Sequence, residues 1–183
     1  MKKLFLGGAI VALAALAYAF ILVPDNQAIT SAPADEIKWY TWDEAIKLSE
    51  KKPKKIFVDL YTDWCGWCKK MDKTTFTDPE VAKYMNANFY AVKFNAEQKE
   101  DVVYNKHTFK YIASGARGVH ELAYSLLDGR LGYPSYVYLD EKQARISISP
   151  GYKTADSFIK ELKFFGDNHY QKTTYEAYVK SQK

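Results

Sequence analysis

Two kinds of apolar spacing alternate along the middle of the chain. Ile56 to Tyr61 and Phe89 to Phe94 ("FYAVKF") are short, nearly continuous apolar runs, the pattern of strands covered on both faces. Around them the spacing turns helical. Thr41-Trp42-Asp43-Glu44 has the form of a capping box, and Ala45, Ile46 and Leu48 add an apolar stripe. That helix should stop near Lys51, ahead of Pro53. Lys69 to Thr75 reads as helical, and Asp78-Pro79 places a cap and an N1 proline on a short helix over Glu80 to Met85. From Ser135 onwards, "SYVYLD" and "ARISIS" are strand-like runs joined by Glu141-Lys142-Gln143, the form of an antiparallel hairpin. A last amphipathic helix spans about Ala155 to Phe165, with Phe158, Leu162 and Phe165 on one side and Gly166 where a C-terminal cap belongs. Strand, helix, strand, hairpin, helix is the order of a small α/β domain with a mixed sheet.

The N-terminal end follows another rule. Met1-Lys2-Lys3 precedes Leu4 to Val23, a 20-residue run without a charge. Ala17-Tyr18-Ala19 has the small-x-small form of a signal-peptidase site. The apolar run continues past it to Pro24, however, and is long enough to span a bilayer. Residues 1–23 are therefore read as a signal anchor or signal peptide, the retained anchor being favoured. Residues 24–36 read as a polar linker and 37–183 as the folded domain. Either fate of the leader places the domain in a periplasmic or other extracytoplasmic space, membrane-anchored or secreted, because Lys2 and Lys3 stay inside.

Composition narrows the functions. The 183 residues, 48% hydrophobic and 26% charged, suit one globular domain with a short appendage. A net charge of +4 with scattered lysines argues against a nucleic-acid partner. Lys51-Lys52-Pro53-Lys54-Lys55 reads as a solvated loop.

The only two cysteines, Cys65 and Cys68, stand two residues apart in "VDLYTDWCGWCKKM". As a structural staple the pair closes too small a loop to remove much unfolded-chain entropy. As half a zinc site it needs two more ligands. The candidates His107, His120 and His169 form no His-x3–5-His pair, so neither a metal nor a cofactor is expected beyond the cysteines. As a redox couple the placement makes sense, since the thiolate is the nucleophile and a helix start favours negative charge. Lowering a thiol's pKa from ~8.5 to ~7 takes about 2 kcal/mol, of which a helix dipole supplies roughly 0.3–1. A neighbouring S–H donor and Lys69 would add to it. Cys65 is then the attacking sulfur and Cys68 the resolving one.

"FVDLYTDWCGWCKK" resembles the active-site segment of thioredoxin-fold proteins. With the following "TTFTDPEVAKYM", it is similar to the C-terminal thioredoxin-like domain of the periplasmic thiol:disulfide interchange protein and its single-domain relatives. The resemblance covers roughly Lys55 to Phe165 and implies a thioredoxin fold, a mixed central sheet flanked by helices. It implies that Asp59 is a buried acid serving proton transfer at the resolving thiol, with Lys93 as its basic partner. Tyr133-Pro134 would be the cis-proline loop and Gly151 the glycine before the last helix. Trp64, Gly66, Trp67, Tyr133 and Pro134 would meet the substrate. The implied activity is that of a thiol–disulfide oxidoreductase that reduces disulfide-containing partner proteins by dithiol–disulfide exchange, with a membrane electron donor as a further candidate partner. A non-catalytic binding module and a thiolate metal-handling protein are the alternatives. The dipeptide Gly66-Trp67 departs from the proline-bearing pair of thioredoxin, so the direction of electron flow stays open.

Forty residues separate Lys93 from Pro134, about twice what one helix with two ordinary loops needs. The surplus, about 101–131, reads as an insertion. "VVYNKHTFKYI" suggests a hairpin turning at Asn105-Lys106, and "GVHELAYSLLDG" a helix ending at Gly129. "SGARG" suggests a flexible basic loop carrying Arg117, a lid on the site or an extension of the sheet edge. His120 is expected as a first-turn helix residue rather than a base. In the C-terminal extension 167–183, Tyr175 and Tyr178 suit a short closing helix.

Overall fold

A computed structural model describes residues 36–182, so the expected leader and most of the linker lie outside the described residues. Among the described residues no helix is long and apolar enough to cross a membrane. The central sheet is formed by β1 (Trp39–Tyr40), β2 (Lys55–Tyr61), β3 (Phe89–Asn95), β8 (Ser135–Leu139) and β9 (Arg145–Pro150), in the order β1-β3-β2-β8-β9. β1, β3 and β2 run parallel, whereas β8 and β9 are antiparallel, so the sheet is mixed as expected.

β2 is buried on both faces, and the alternation of side chains along it sorts the domain. Phe57 belongs to one core, with Phe76, Met71, Tyr136, Tyr138 and Phe158. Ile56, Val58 and Leu60 belong to the opposite core, with Val92, Phe94 and Leu127. The first core lies under α2 (Gly66–Lys73), α3 (Pro79–Asn88) and α5 (Ala155–Gly166), and the second under α1 (Trp42–Lys51) and α4 (Glu121–Leu126). Period two puts Asp59 and Lys93 on the same face as Phe57, beneath α2.

The local signals act largely as read. Thr41 caps α1, with both halves of its capping box formed by Glu44, and Asp78 caps α3 through the N–H groups of Glu80 and Val81. α2 begins three residues earlier than expected, with Cys65 as its N-cap. Gly166 is not the left-handed cap, which falls to Asn168 (φ 61°). It is instead a close approach, since a Cβ there would stand 2.4 Å from Tyr84 Oη. Lys55 is not in a solvated loop. It opens β2 with 3% exposure, its Nζ 2.7 Å from Glu141 Oε1. The C-terminal segment closes as α6 (Tyr175–Ser181), with Tyr178 buried against Phe164.

The segment between β3 and β8 leaves the sheet. β4 (Val102–Tyr104) and β5 (His107–Phe109) form the expected hairpin, with Asn105 and Lys106 both at positive φ (51° and 63°) as a two-residue turn needs. The expected flexible loop at Arg117 is a second hairpin, β6 (Tyr111–Ser114) with β7 (Arg117–His120). Gly115 (φ 57°) supplies its turn, and Gly118 lies so near Tyr111 that a Cβ would stand 2.5 Å from that ring. His120 is the N-cap of α4 rather than a first-turn residue.

Candidate active site

The turn leaving β2 places Cys65 at the head of α2, where its Sγ accepts the Cys68 N–H at 3.1 Å, the role a serine or aspartate oxygen fills elsewhere. Cys65 and Cys68 are joined in a disulfide. The pair is recessed: Cys65 is 4% exposed and Cys68 2%. The rim stands proud of it, with Trp64 49% and Trp67 56% exposed.

Each tryptophan is held by its own neighbours. Trp64 donates Nε1–H to Glu97 at 3.0 Å, meets Tyr133 edge-on at 6.1 Å, and carries the Arg117 guanidinium 4.3 Å above its ring. Trp67 packs against Tyr152 at 5.3 Å, and Lys70 lies over both rings. Tyr133 precedes the cis peptide to Pro134, whose carbonyl accepts the Gly151 N–H at 2.8 Å. Gly151 has φ 89°, a conformation glycine adopts freely. A Cβ at Gly66 would meet nothing within 4 Å, so packing inside the chain does not explain that glycine.

Beneath α2 lies a charged cluster. Lys93 donates to Asp59 Oδ2 at 2.8 Å and also to Asp72 Oδ1, a residue the sequence reading passed over. The ammonium is boxed by the rings of Trp39, Phe76 and Tyr61, 4.8 to 5.3 Å from their centroids. Burial pushes Asp59 up to about 6, Lys93 pulling the other way and Asp72 adding to the rise. Burial works against the charge on Lys93 too, but the two carboxylates outweigh it and hold its pKa above the ordinary value. Asp59 Oδ1 is buried with no hydrogen-bond partner, a free acceptor beside an engaged one. His120 is fully buried in a structural role, its Nδ1 accepting the Leu122 N–H and its Nε2 bonded to the Glu100 carbonyl. Among the described residues no group of three or more His, Cys, Asp or Glu side chains could hold a metal ion.

This sheet order, with a Cys-x-x-Cys pair at the head of the first helix after β2, defines a thioredoxin-fold protein with a disulfide-forming site. The family model described as "Thioredox_DsbH: Protein of unknown function, DUF255" matches residues 26–154, and the chain belongs to that family. The resemblance to the interchange protein also holds. Thiol:disulfide interchange protein DsbD of Escherichia coli (strain K12) is 39% identical over 61 residues, 33% of this chain and 11% of that protein. Uncharacterized protein B0495.5 of Caenorhabditis elegans is 35% identical over 83 residues, 45% of this chain and 11% of that one. The chain thus matches about a tenth of the length of these curated relatives. The solved structure of a DsbH oxidoreductase shares the fold with a TM-score of 0.52 and 17% identity, covering 75% of this chain and 90% of that one. The chain is therefore similar to thioredoxin-like disulfide oxidoreductases and carries their cysteine spacing.

Proposed function

We propose that the protein is a thiol–disulfide oxidoreductase working outside the cytoplasm, which reduces disulfides of partner proteins through Cys65 and Cys68. The observation that carries this reading is the position of Cys65. Its sulfur caps a helix, held on the Cys68 N–H, where a thiolate is favoured over a thiol.

In the reduced protein the Cys65 thiolate attacks one sulfur of a partner disulfide, and the other partner sulfur leaves as a thiolate. Cys68 then loses its proton and attacks the Cys65 sulfur of the mixed disulfide, releasing the second partner sulfur. Two electrons pass to the partner, and the Cys65–Cys68 disulfide remains. A dithiol donor returns it to the reduced state by the reverse exchange. We assign Asp59 as the acceptor of the Cys68 proton, because it is a buried carboxyl beneath α2 with a pKa raised to about 6 and one unpartnered oxygen.

The similarity to a thiol:disulfide interchange protein supports exchange, and we favour reduction because the segment around Cys65 and Cys68 resembles an electron-delivering domain. The extracytoplasmic setting is supported by the uncharged run Leu4 to Val23 behind Lys2 and Lys3. A membrane-embedded dithiol donor suits a tethered domain. Replacing Cys68 with serine tests the scheme, since it should leave Cys65 in mixed disulfides that collect on a non-reducing gel and vanish with reductant. A Cys68→Ser protein that traps nothing, beside a Cys65→Ser protein that functions like the parent, would overturn the scheme in favour of a binding module.

A further inference from the structure

Large apolar side chains left in solvent are ordinary when scattered, but here several gather at one place. Ile112 on β6, Tyr124 on α4 and Leu131 ahead of β8 are 48%, 53% and 46% exposed. With Phe109 and Val119 they line a cavity of about 810 Å³, within the size range of binding sites. Trp64 and Tyr133 line it too, beside polar residues that include Glu97, Ser114, Arg117 and Glu121. Trp64 is joined directly to Cys65, and Tyr133 directly to Pro134. The cavity is thus continuous with the rim of the disulfide recess.

We propose that this cavity is a specificity pocket, taking a large apolar side chain from the partner segment that flanks the exchanged disulfide. The proposal rests on the exchange reading above and adds its substrate class. Three features favour this occupant. A partner sulfur must enter the recess between Trp64 and Trp67, so the partner residues on its Trp64 side lie next to Tyr133 and the cavity. The exposed lining is mostly aliphatic and aromatic, which suits an apolar side chain better than a polar one. The charges in the wall select against a small anionic disulfide. Glu97 and Glu121 place carboxylates there, engaged by Trp64 Nε1–H and the Lys110 N–H, while the Arg117 guanidinium lies against the Trp64 ring. A peptide with an aromatic or branched residue beside its cysteine meets these conditions, and glutathione disulfide does not.

The test uses the full chain, reduced and desalted, and two short peptides whose single cysteine is blocked as a mixed disulfide with nitrothiobenzoate. One peptide has phenylalanine beside the cysteine and the other serine. Attack by Cys65 releases the coloured nitrothiobenzoate anion. The parent should react with the phenylalanine peptide about tenfold faster, the range one apolar side chain gives. Ile112→Asn and Leu131→Asn, uncharged changes at half-exposed positions on separate elements, should each bring the ratio to within about twofold of unity. Their rates with the serine peptide and with Ellman's reagent itself should match the parent. A parent without preference, or variants that keep it, overturns the pocket while the exchange reading stands. A reduced parent inert even to Ellman's reagent overturns the exchange reading, and the pocket with it.

Discussion

Lys93 Nζ lies 2.8 Å from Asp59 Oδ2, and the two residues face each other across the parallel pair β2–β3. The same ammonium serves Asp72, so one cation stands between two carboxylates on the face that α2 covers. The arrangement keeps Lys93 charged and leaves Asp59 with a carboxyl that titrates within reach of neutral pH.

That titration has a sign. Asp59 is raised from the ordinary 3.8 to about 6 on folding, chiefly by burial, so the folded chain holds its proton where the unfolded chain has released it. The stability this group contributes is therefore complete below about pH 4 and is lost as pH rises through about 6. Asp59→Asn should remove the loss. In urea denaturation the variant should exceed the parent at pH 7 by up to about 3 kcal/mol and match it near pH 4. A variant less stable than the parent at pH 7 would contradict this sign.

Lys93→Met should act the other way. It strips both carboxylates of their cation, and Asp59 is the buried one. Since Lys93 is partly exposed, a loss of about 1–3 kcal/mol is expected at pH 7, below the range for a fully buried pair. The loss should shrink near pH 5, where Asp59 takes up a proton. A melting temperature unchanged at pH 7 would show that water already screens the cluster.

Two glycines should respond differently to the same change. A Cβ at Gly166 would stand 2.4 Å from Tyr84 Oη, whose hydroxyl donates to Asp167 at 2.7 Å. Gly166→Ala should break that bond or shift the ring, costing about 1–3 kcal/mol. Gly66→Ala has open space, so it should be neutral or slightly stabilising at the start of α2. Thermal melts of the two proteins, side by side, check both.

Much of this layout is legible along the chain because it is local. The capping box at Thr41 and Glu44, the cap at Asp78 and the turn at Asn105-Lys106 need only neighbours a few residues away. What is not legible depends on distant partners. Lys55 sits in a lysine-rich run and looks solvated, but its partner Glu141 is 86 residues on. Glycines in "SGARG" look flexible until Tyr111 packs against Gly118. At the site, Asp59 and Lys93 were within reach of the resemblance, whereas Asp72 was not. One signal existed: Asp72 stands four residues after Cys68, hence on the same face of α2 as the resolving sulfur. β1 gave no signal, being two residues long.

The recess around the cysteines shapes their reactivity. With Cys65 only 4% exposed behind Trp64 and Trp67, a compact reagent such as N-ethylmaleimide should modify the reduced protein well before a polymer-linked maleimide does. Trp64→Ala should narrow that gap. Equal rates for both reagents on the parent would show that the rim does not guard the sulfur.

The central claim, that Cys65 is an activated nucleophile and Cys68 its protected partner, is tested most directly by mapping iodoacetamide alkylation of the reduced protein between about pH 5 and 9. Label is expected on Cys65 alone, at a rate about half-maximal near pH 7 and levelled off by about pH 8. Labelling of both cysteines at similar rates, still climbing through about pH 8.5 as for an ordinary thiol, would contradict it.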